Sequence, residues 1–216
     1  MISVKTLNKI EKEAKKYFKG AFSCHDWSHV ERVRNIAIHI GKKEKANLKI
    51  LELAAILHDI GRKKEMELKG ALCHAEKGAE MAKNILAKYK ISDKDAKNIV
   101  HCIITHRFRN NHIPKTIEAK VLYDADKLDS IGAVGIGRAF LFAGKVGAKL
   151  YNDKNTDIYK TKAYSEEDSA YREFTIKLSK VKNKMLTKEG ERIAEIRHKF
   201  MVEYFKIFQQ EVNGKR

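Results

Sequence analysis

Residues 47–60, NLKILELAAILHDI, decide the fold of this chain. The segment is apolar over most of its circumference when it is drawn as a helix, which predicts a buried central helix. This helix carries His58 and Asp59 at its C-terminal end, and Gly61 terminates it. An unpaired buried carboxylate is energetically costly, so Asp59 requires a neighbouring cation, either a basic side chain or a metal ion.

Helical periodicity continues on both sides of this segment and predicts an all-α fold. Upstream, residues 3–18 carry apolar side chains at helical spacing. A second helix is predicted to begin at a capping box formed by Ser28 and Glu31 and to stop at Gly41. Downstream, the pattern predicts a helix over 73–89 and a further helix with Ser92 as its N-cap. After Pro114 it predicts two helical segments that divide near Gly132, followed by an exposed loop over 151–164. Two more helices are predicted over 165–185 and 188–212.

Length and composition indicate one soluble domain. The chain has 216 residues, of which 43% are hydrophobic, and it contains a single proline and no Ser/Gly-rich linker. Its three cysteines are isolated and lack CxxC spacing, which predicts reduced thiols in a cytoplasmic protein. No window approaches 18 consecutive apolar residues, so we expect no membrane span.

The formal net charge of +17 leaves three interpretations open. The partner is nucleic acid, or it is an anionic small substrate, or the lysines only solvate the surface. The basic residues are spread along the chain without a block of five or more like charges. No known nucleic-acid-binding motif is present, so a basic nucleic-acid-binding module with a structural metal is the weaker alternative.

Candidate metal ligands occur on several predicted helices. His29 lies in the first turn of one, and His58 and Asp59 end the central one. Asp124, Asp126 and Asp129 lie within six residues of a mostly apolar segment, where they repel one another unless positive charge is near. Mixed imidazole and carboxylate donors suit Mn²⁺, Fe, Co²⁺ or Mg²⁺ better than a closed structural zinc site, which prefers thiolates.

The order His29, His58-Asp59, Asp126 resembles the HD-domain superfamily of metal-dependent phosphohydrolases, which is defined by H…HD…D on separate helices. The segments HDWSH, LHDIGR and DADKLDSIGAVGIGR are similar to the motifs of a subgroup of small predicted HD hydrolases. The similarity extends from about residue 22 to 212. It implies a single all-helical HD domain over 1–216, with a metal-binding core at about 22–150 and additional C-terminal helices at about 165–212.

The resemblance implies a ligand set and a mechanism. A divalent ion would be bound by His29, His58, Asp59 and Asp126, with His25 and Asp26 in supporting positions. Mn²⁺ is the favoured ion, and Mg²⁺, Co²⁺, Ni²⁺ and Fe remain open. Asp59, His58 and Arg62 are the expected catalytic residues. Lys63, Lys127 and Arg138 are the candidates for binding the phosphate groups of the substrate.

His74 and His106 leave two interpretations. Two-metal HD phosphodiesterases place further histidines at comparable positions and commonly carry a paired histidine at the second one. Arg107 follows His106 in this chain and departs from that pattern. We therefore expect His74 and His106 to line a phosphate pocket, with a second metal ion as the alternative.

The implied reaction is hydrolysis of a phosphate ester or anhydride of a nucleotide or another phosphorylated small molecule, which is chemistry of EC classes 3.1 or 3.6. The subgroup resemblance favours a nucleoside triphosphate. A cyclic-nucleotide phosphodiesterase and a 5′-nucleotidase are alternatives within the same class. The sequence does not separate these substrates, and it leaves the oligomeric state open.

Overall fold

The computed structural model describes residues 2–20, 25–68, 71–107 and 112–216. All regular secondary structure within these ranges is helical, which confirms the all-α prediction. The α-helices are α1 Val4–Ala14, α2 Trp27–Lys43, α3 Leu48–Leu57, α4 Arg62–Glu67, α5 His74–Lys88, α6 Asp93–Thr105, α7 Ile117–Leu128, α8 Gly132–Lys145, α9 Ala170–Ile176 and α10 Lys188–Val212. Short 3₁₀ helices span Lys15–Phe18, Ile158–Lys160 and Leu178–Lys184.

The chain forms two compact units. The first contains Met1–Asp126 and Leu186–Glu189, and the second contains Lys127–Met185 and Gly190–Arg216. The prediction of a single domain stays a prediction. Among the described helices, none has both the length and the apolar composition needed to cross a bilayer.

Helix α3 is the core of the first unit, as the sequence predicts. Seven of its ten residues are buried, and it packs against α1, α2 and α6. Its N-cap is Asn47, whose side chain accepts hydrogen bonds from the backbone of Lys49 and Ile50. Its C-cap is His58. The apolar composition therefore carries the His58-Asp59 pair into the protein interior.

Helix boundaries around α3 differ from the predicted ones. The N-cap of α2 is Asp26 and not Ser28, because the Asp26 carboxylate already accepts the backbone N–H of His29. Ser28 lies inside the helix and donates to Asp26 at 2.6 Å, and Glu31 accepts from Trp27 instead of closing a capping box. The helix also continues through Gly41 to Lys43.

Elements after α3 follow the predicted pattern with two exceptions. Helix α5 covers the predicted 73–89 segment, Ser92 caps α6, and Gly132 divides α7 from α8 with a φ of +80°. The short helix α4 was not predicted, since Gly61 was interpreted as a terminator. The 165–185 segment forms α9 and a 3₁₀ helix and not one continuous helix.

Two of the three clustered carboxylates have structural roles. Asp124 is fully buried and accepts hydrogen bonds from the backbone N–H groups of Leu186 and Thr187, at 2.9 and 2.8 Å, just before α10 begins. Asp129 is paired with Arg138 at 2.6 Å. These contacts give Asp124 and Asp129 structural partners, whereas Asp126 lies 3.5 Å from the Nε2 atom of His29.

The second unit is built around an aromatic cluster. Phe205 of α10 is almost completely buried and stacks on Phe174 of α9 with a centroid distance of 4.6 Å. Phe140 of α8, Tyr171 and Phe208 also contact this ring. The burial of these large side chains holds α8, α9 and α10 together.

Gly61 allows the turn after Asp59 to approach α5 closely. A Cβ atom at this position would overlap the His74 carbonyl and would lie 2.6 Å from the Gly78 nitrogen. Both neighbours are backbone atoms, which cannot rotate away. The absence of a side chain at Gly61 therefore brings the His58-Asp59 pair close to His74.

We expect Gly61→Ala to lower the free energy of unfolding by about 3 kcal/mol, because the added methyl group forces two backbone segments apart. The matched control is Gly137→Ala in α8, where an added Cβ meets no atom within 4 Å. That change should be neutral or should stabilise the chain by up to about 1 kcal/mol. Urea unfolding followed by circular dichroism measures both, and equal stabilities of the two variants would contradict the expectation.

Candidate metal centre

Three described helices and one turn of the first unit bring the predicted ligands together. His29 lies in the first turn of α2, where Asp26 caps the helix, and it is fully buried. His58 and Asp59 follow α3 and are 0% and 1% exposed. Asp126 lies near the end of α7, and its side chain is 16% exposed. Each position follows from a local signal, an N-cap or an apolar helix face.

The first cluster consists of His29, His58, Asp59 and Asp126. The Nε2 atom of His29 lies 3.2 Å from His58 Nε2, 3.5 Å from Asp126 Oδ1 and 3.6 Å from Asp59 Oδ2. His58 Nε2 lies 3.8 Å from the same Asp59 oxygen. The other three residues predicted as ligands therefore lie around the Nε2 atom of His29, and His29, His58 and Asp126 form one group with metal-ligand spacing.

The second cluster consists of Asp59, His74 and His106. The other oxygen of Asp59, Oδ1, lies 3.1 Å from His74 Nε2 and 3.6 Å from His106 Nε2. The two Nε2 atoms are 3.2 Å apart. All three side chains are at most 1% exposed. Each oxygen of the Asp59 carboxylate therefore faces a different cluster.

Hydrogen bonds at the far side of two imidazole rings fix which nitrogen is protonated in the neutral form. His58 Nδ1 lies 2.7 Å from the Ala55 carbonyl, and His106 Nδ1 lies 2.6 Å from the Ile103 carbonyl. Because a carbonyl only accepts, each Nδ1 must donate, and each Nε2 presents a lone pair. This is the arrangement that metal-binding histidines have in proteins.

His74 has two polar partners at Nδ1. This nitrogen lies 2.6 Å from Glu65 Oε2 and 2.8 Å from Arg107 Nη1, and Arg107 also donates to the other Glu65 oxygen at 2.9 Å. A carboxylate accepts and a guanidinium donates, so these contacts are compatible with either neutral tautomer of His74. When Nδ1 carries the proton, the Nε2 atoms of His74 and His106 and one oxygen of Asp59 form a donor set that fits a divalent metal ion.

Charge in the site favours the metal-binding protonation states. Burial alone would raise the pKa of Asp59, but Arg62 and the surrounding imidazoles hold that pKa well below its usual range. Burial lowers the pKa of His58 to about 4 and that of His25 to about 4. At neutral pH the carboxylate is ionised and these imidazoles are neutral, as metal coordination requires.

Glu65 and Arg107 contact His74 at the site, and the sequence interpretation did not select either of them as a site residue. Arg62 connects Asp59 to Glu65 with contacts of 3.3 Å to each, and Glu65 in turn contacts His74. Arg62 and Glu65 are three residues apart on α4, a spacing that would have suggested a pair if α4 had been predicted.

His25 lies beside the first cluster. Its Nδ1 is 3.5 Å from Asp59 Oδ2, and this buried atom has no hydrogen-bond partner among the described residues. His25, His29 and Asp59 form another group with metal-ligand spacing. The sequence assigned His25 a supporting position, and the geometry places it in direct reach of the same carboxylate.

The residues predicted to bind phosphate are distributed differently. Arg62 and the exposed Lys63 line a cavity of about 280 Å³ that also contacts His25 and Asp59. Lys127 follows Asp126 in α7 and is partly exposed. Arg138 lies in the second unit, where it is engaged by Asp129. A role in phosphate binding remains a prediction for each of these basic residues.

We expect the metal-free protein to lose stability as the pH falls from about 6.5 to 4. The unfolded chain protonates His58 and His25 near pH 6.5, whereas the folded chain does so only near pH 4. The unfolded state therefore binds more protons in this window and gains free energy relative to the folded state.

Urea unfolding in the presence of a chelator, at pH 4.5, 5.5 and 7, should show a loss of roughly 2–4 kcal/mol, with the fully buried His58 contributing most. Stability should be nearly constant just above pH 6.5. His58→Gln should flatten the profile, and a wild-type profile without slope in this window would contradict the assignment.

Comparisons with known proteins agree with this geometry. The HD domain family model matches residues 26–131. YpgQ of Bacillus subtilis strain 168, an uncharacterized protein, is 36% identical over 196 residues, which cover 89% of this chain and 86% of YpgQ.

Solved structures show the same relationship. The match to a crystal structure of B. subtilis YpgQ covers 100% of both chains, with 33% identity and a TM-score of 0.76. The match to a crystal structure of YpgQ in complex with ADP covers 96% of this chain and 95% of YpgQ, with 34% identity and a TM-score of 0.74. An HD-superfamily hydrolase from Bacillus thuringiensis covers 97% of both chains at 29% identity with a TM-score of 0.75. The chain belongs to the HD-domain superfamily of hydrolases.

Proposed function

We propose that the protein is a metal-dependent phosphohydrolase that acts on nucleotides, with a nucleoside triphosphate as its preferred substrate. The observation that carries the proposal is the convergence of buried imidazole nitrogens on the two oxygens of Asp59. The ADP complex of the B. subtilis relative supports a nucleotide as the ligand. In this reaction water attacks the α-phosphorus, and the bond between that phosphorus and the oxygen that bridges to the β-phosphate breaks. The products are a nucleoside monophosphate and pyrophosphate.

His29, His58, Asp59 and Asp126 would hold the catalytic ion, for which Mn²⁺ is the favoured identity. A divalent ion bound there lowers the pKa of a coordinated water from about 15.7 towards 7 and polarises the phosphoryl oxygen. Asp59 remains ionised and orients the attacking water from its position between the clusters. Arg62 and Lys63, at the cavity next to Asp59, oppose the negative charge of the phosphates.

The geometry favours a second ion at Asp59, His74 and His106 over a phosphate pocket. The Nε2 atoms of the two imidazoles lie 3.2 Å apart, and both direct lone pairs to the same point when each ring carries its proton on Nδ1. A phosphate oxygen is itself an acceptor, so these lone pairs would repel it. Arg107, which weakened this interpretation at the level of sequence, donates to Glu65 and lies 2.8 Å from His74 Nδ1, on the side of the ring opposite Asp59.

A nucleotide panel tests the proposed reaction. Nucleoside mono-, di- and triphosphates and cyclic nucleotides are incubated with Mn²⁺, Co²⁺, Ni²⁺ or Mg²⁺, and phosphate and pyrophosphate are measured separately. We expect pyrophosphate from triphosphates. Release of phosphate from monophosphates would indicate a 5′-nucleotidase. Hydrolysis of cyclic nucleotides to nucleoside monophosphates would indicate a phosphodiesterase. No turnover of any phosphorylated compound with any ion would refute the proposal.

We expect His58→Ala and Asp59→Ala each to reduce this activity by roughly 100-fold or more, because each removes a ligand and leaves an incomplete donor set. Their helical circular dichroism should stay close to that of the wild type. His39→Ala is the matched control, since the His39 side chain is half-exposed and is paired with Glu189 away from the clusters. Full activity in either ligand variant would exclude that residue from the mechanism.

We expect Glu65→Gln to weaken binding of the second ion by about 10–100-fold, because the carboxylate holds His74 in the tautomer that presents Nε2. Isothermal titration of the metal-free protein with Mn²⁺ should resolve two ions per chain and an unchanged first site. Glu80→Gln is the control, since Glu80 is exposed and contacts Lys77. Equal affinities in wild type and Glu65→Gln would remove Glu65 from the metal centre.

A further inference from the structure

A cavity of about 280 Å³ lies next to the first cluster, within the first unit. Its size is near the lower end of the roughly 300–1,000 Å³ that small-molecule sites occupy. It therefore suits one part of a nucleotide and not the whole molecule. Because Asp59 forms part of its wall, a ligand in this cavity is continuous with the proposed reaction centre.

The cavity wall combines two kinds of chemistry. Asp59, Arg62 and Lys63 supply charge next to the metal cluster, and the remaining wall includes Tyr17, Phe18 and Met66. Phe18 is buried, and Tyr17 is half-buried at the end of the 3₁₀ helix that follows α1. These three side chains offer aromatic rings and a thioether, which attract flat apolar surfaces and give phosphate no cation.

Met66 is unusual for a cavity residue because its side chain is 50% exposed. It is unbranched and polarizable, so it adapts to a flat ring that packs against it. The acidic residue beside it in the wall, Glu67, is paired with Lys64 at 3.1 Å and adds no unbalanced negative charge. An occupant that covers Met66 would remove apolar surface from water.

We propose that this cavity binds the nucleobase of the substrate, which packs against the Tyr17 ring and the Met66 side chain. The inference rests on the proposed function, since it takes a nucleotide as the ligand. It makes Tyr17 and Met66 the residues that distinguish nucleotides from inorganic polyphosphates, whereas Arg62 and Lys63 serve both kinds of ligand. Stacking of this kind accepts any base, because every base has a π-face.

The experiment compares two ligands that share the same phosphorus groups. α,β-Methylene-ADP resists hydrolysis between its phosphorus atoms, and methylenediphosphonate lacks the nucleoside. Dissociation constants are measured by calorimetry with Mn²⁺ present. We expect Tyr17→Ala to raise the constant for α,β-methylene-ADP about tenfold or more, the usual effect of losing a base-stacking aromatic ring. The constant for methylenediphosphonate should change less than twofold.

Matched variants separate the base contact from effects on the fold. Tyr17→Phe keeps the ring and should bind like the wild type. Met66→Ala should weaken the nucleotide analogue selectively, and Leu68→Ala, an equally exposed apolar residue outside the cavity wall, should change neither ligand. Met66→Ala tests the same site if Tyr17→Ala fails to fold.

The outcomes separate this inference from the proposed reaction. Three results would each overturn the base site. The first is an equal loss of affinity for both ligands, and the second is unchanged binding of α,β-methylene-ADP in the Tyr17→Ala and Met66→Ala variants. The third is no binding of α,β-methylene-ADP to the wild type. Selective weakening, combined with no turnover of any nucleotide, would support the base site and refute the hydrolytic function.

Discussion

The buried carboxylate of Asp59 is the constraint on which the site depends. A carboxylate at 1% exposure requires a compensating cation, and Arg62 reaches it only through contacts of 3.3–3.4 Å. Burial lowers the pKa of His58 and of His74, so these two imidazoles supply little positive charge at pH 7. A divalent metal ion bound between the nitrogen ligands and the two oxygens of this one residue would supply the missing positive charge.

Much of this arrangement could be predicted from the sequence because it depends on local signals. The apolar character of α3 predicts that His58 and Asp59 are buried, and the resemblance to the HD-domain superfamily implies the set of four expected ligands. The capping-box prediction at Ser28 was wrong because Asp26 lies two residues earlier and caps α2 itself. Two competing N-cap residues in one short segment cannot be ranked without the backbone conformation.

The remaining features depend on contacts between residues distant in sequence. The three carboxylates of the 124–129 segment look equivalent as a sequence, yet Asp124 binds backbone groups at residues 186 and 187 and Asp129 binds Arg138. The role of Glu65 was missed for a related reason. It depends on His74 and on Arg107, which lies 42 residues further along the chain. Only the packing of α4, α5 and α6 reveals these partners.

The balance of charge connects the metal centre to the kind of substrate. The clusters and their ion-pair partners contain three carboxylates, those of Asp59, Glu65 and Asp126, against the guanidinium groups of Arg62 and Arg107. Carboxylates at the site would repel a polyphosphate in the absence of metal. Divalent ions bound to them would offset this repulsion. Under the proposed function, the ions that complete the buried donor set would also make the site attractive to a highly charged anion, and we expect binding of such a substrate to depend on bound metal.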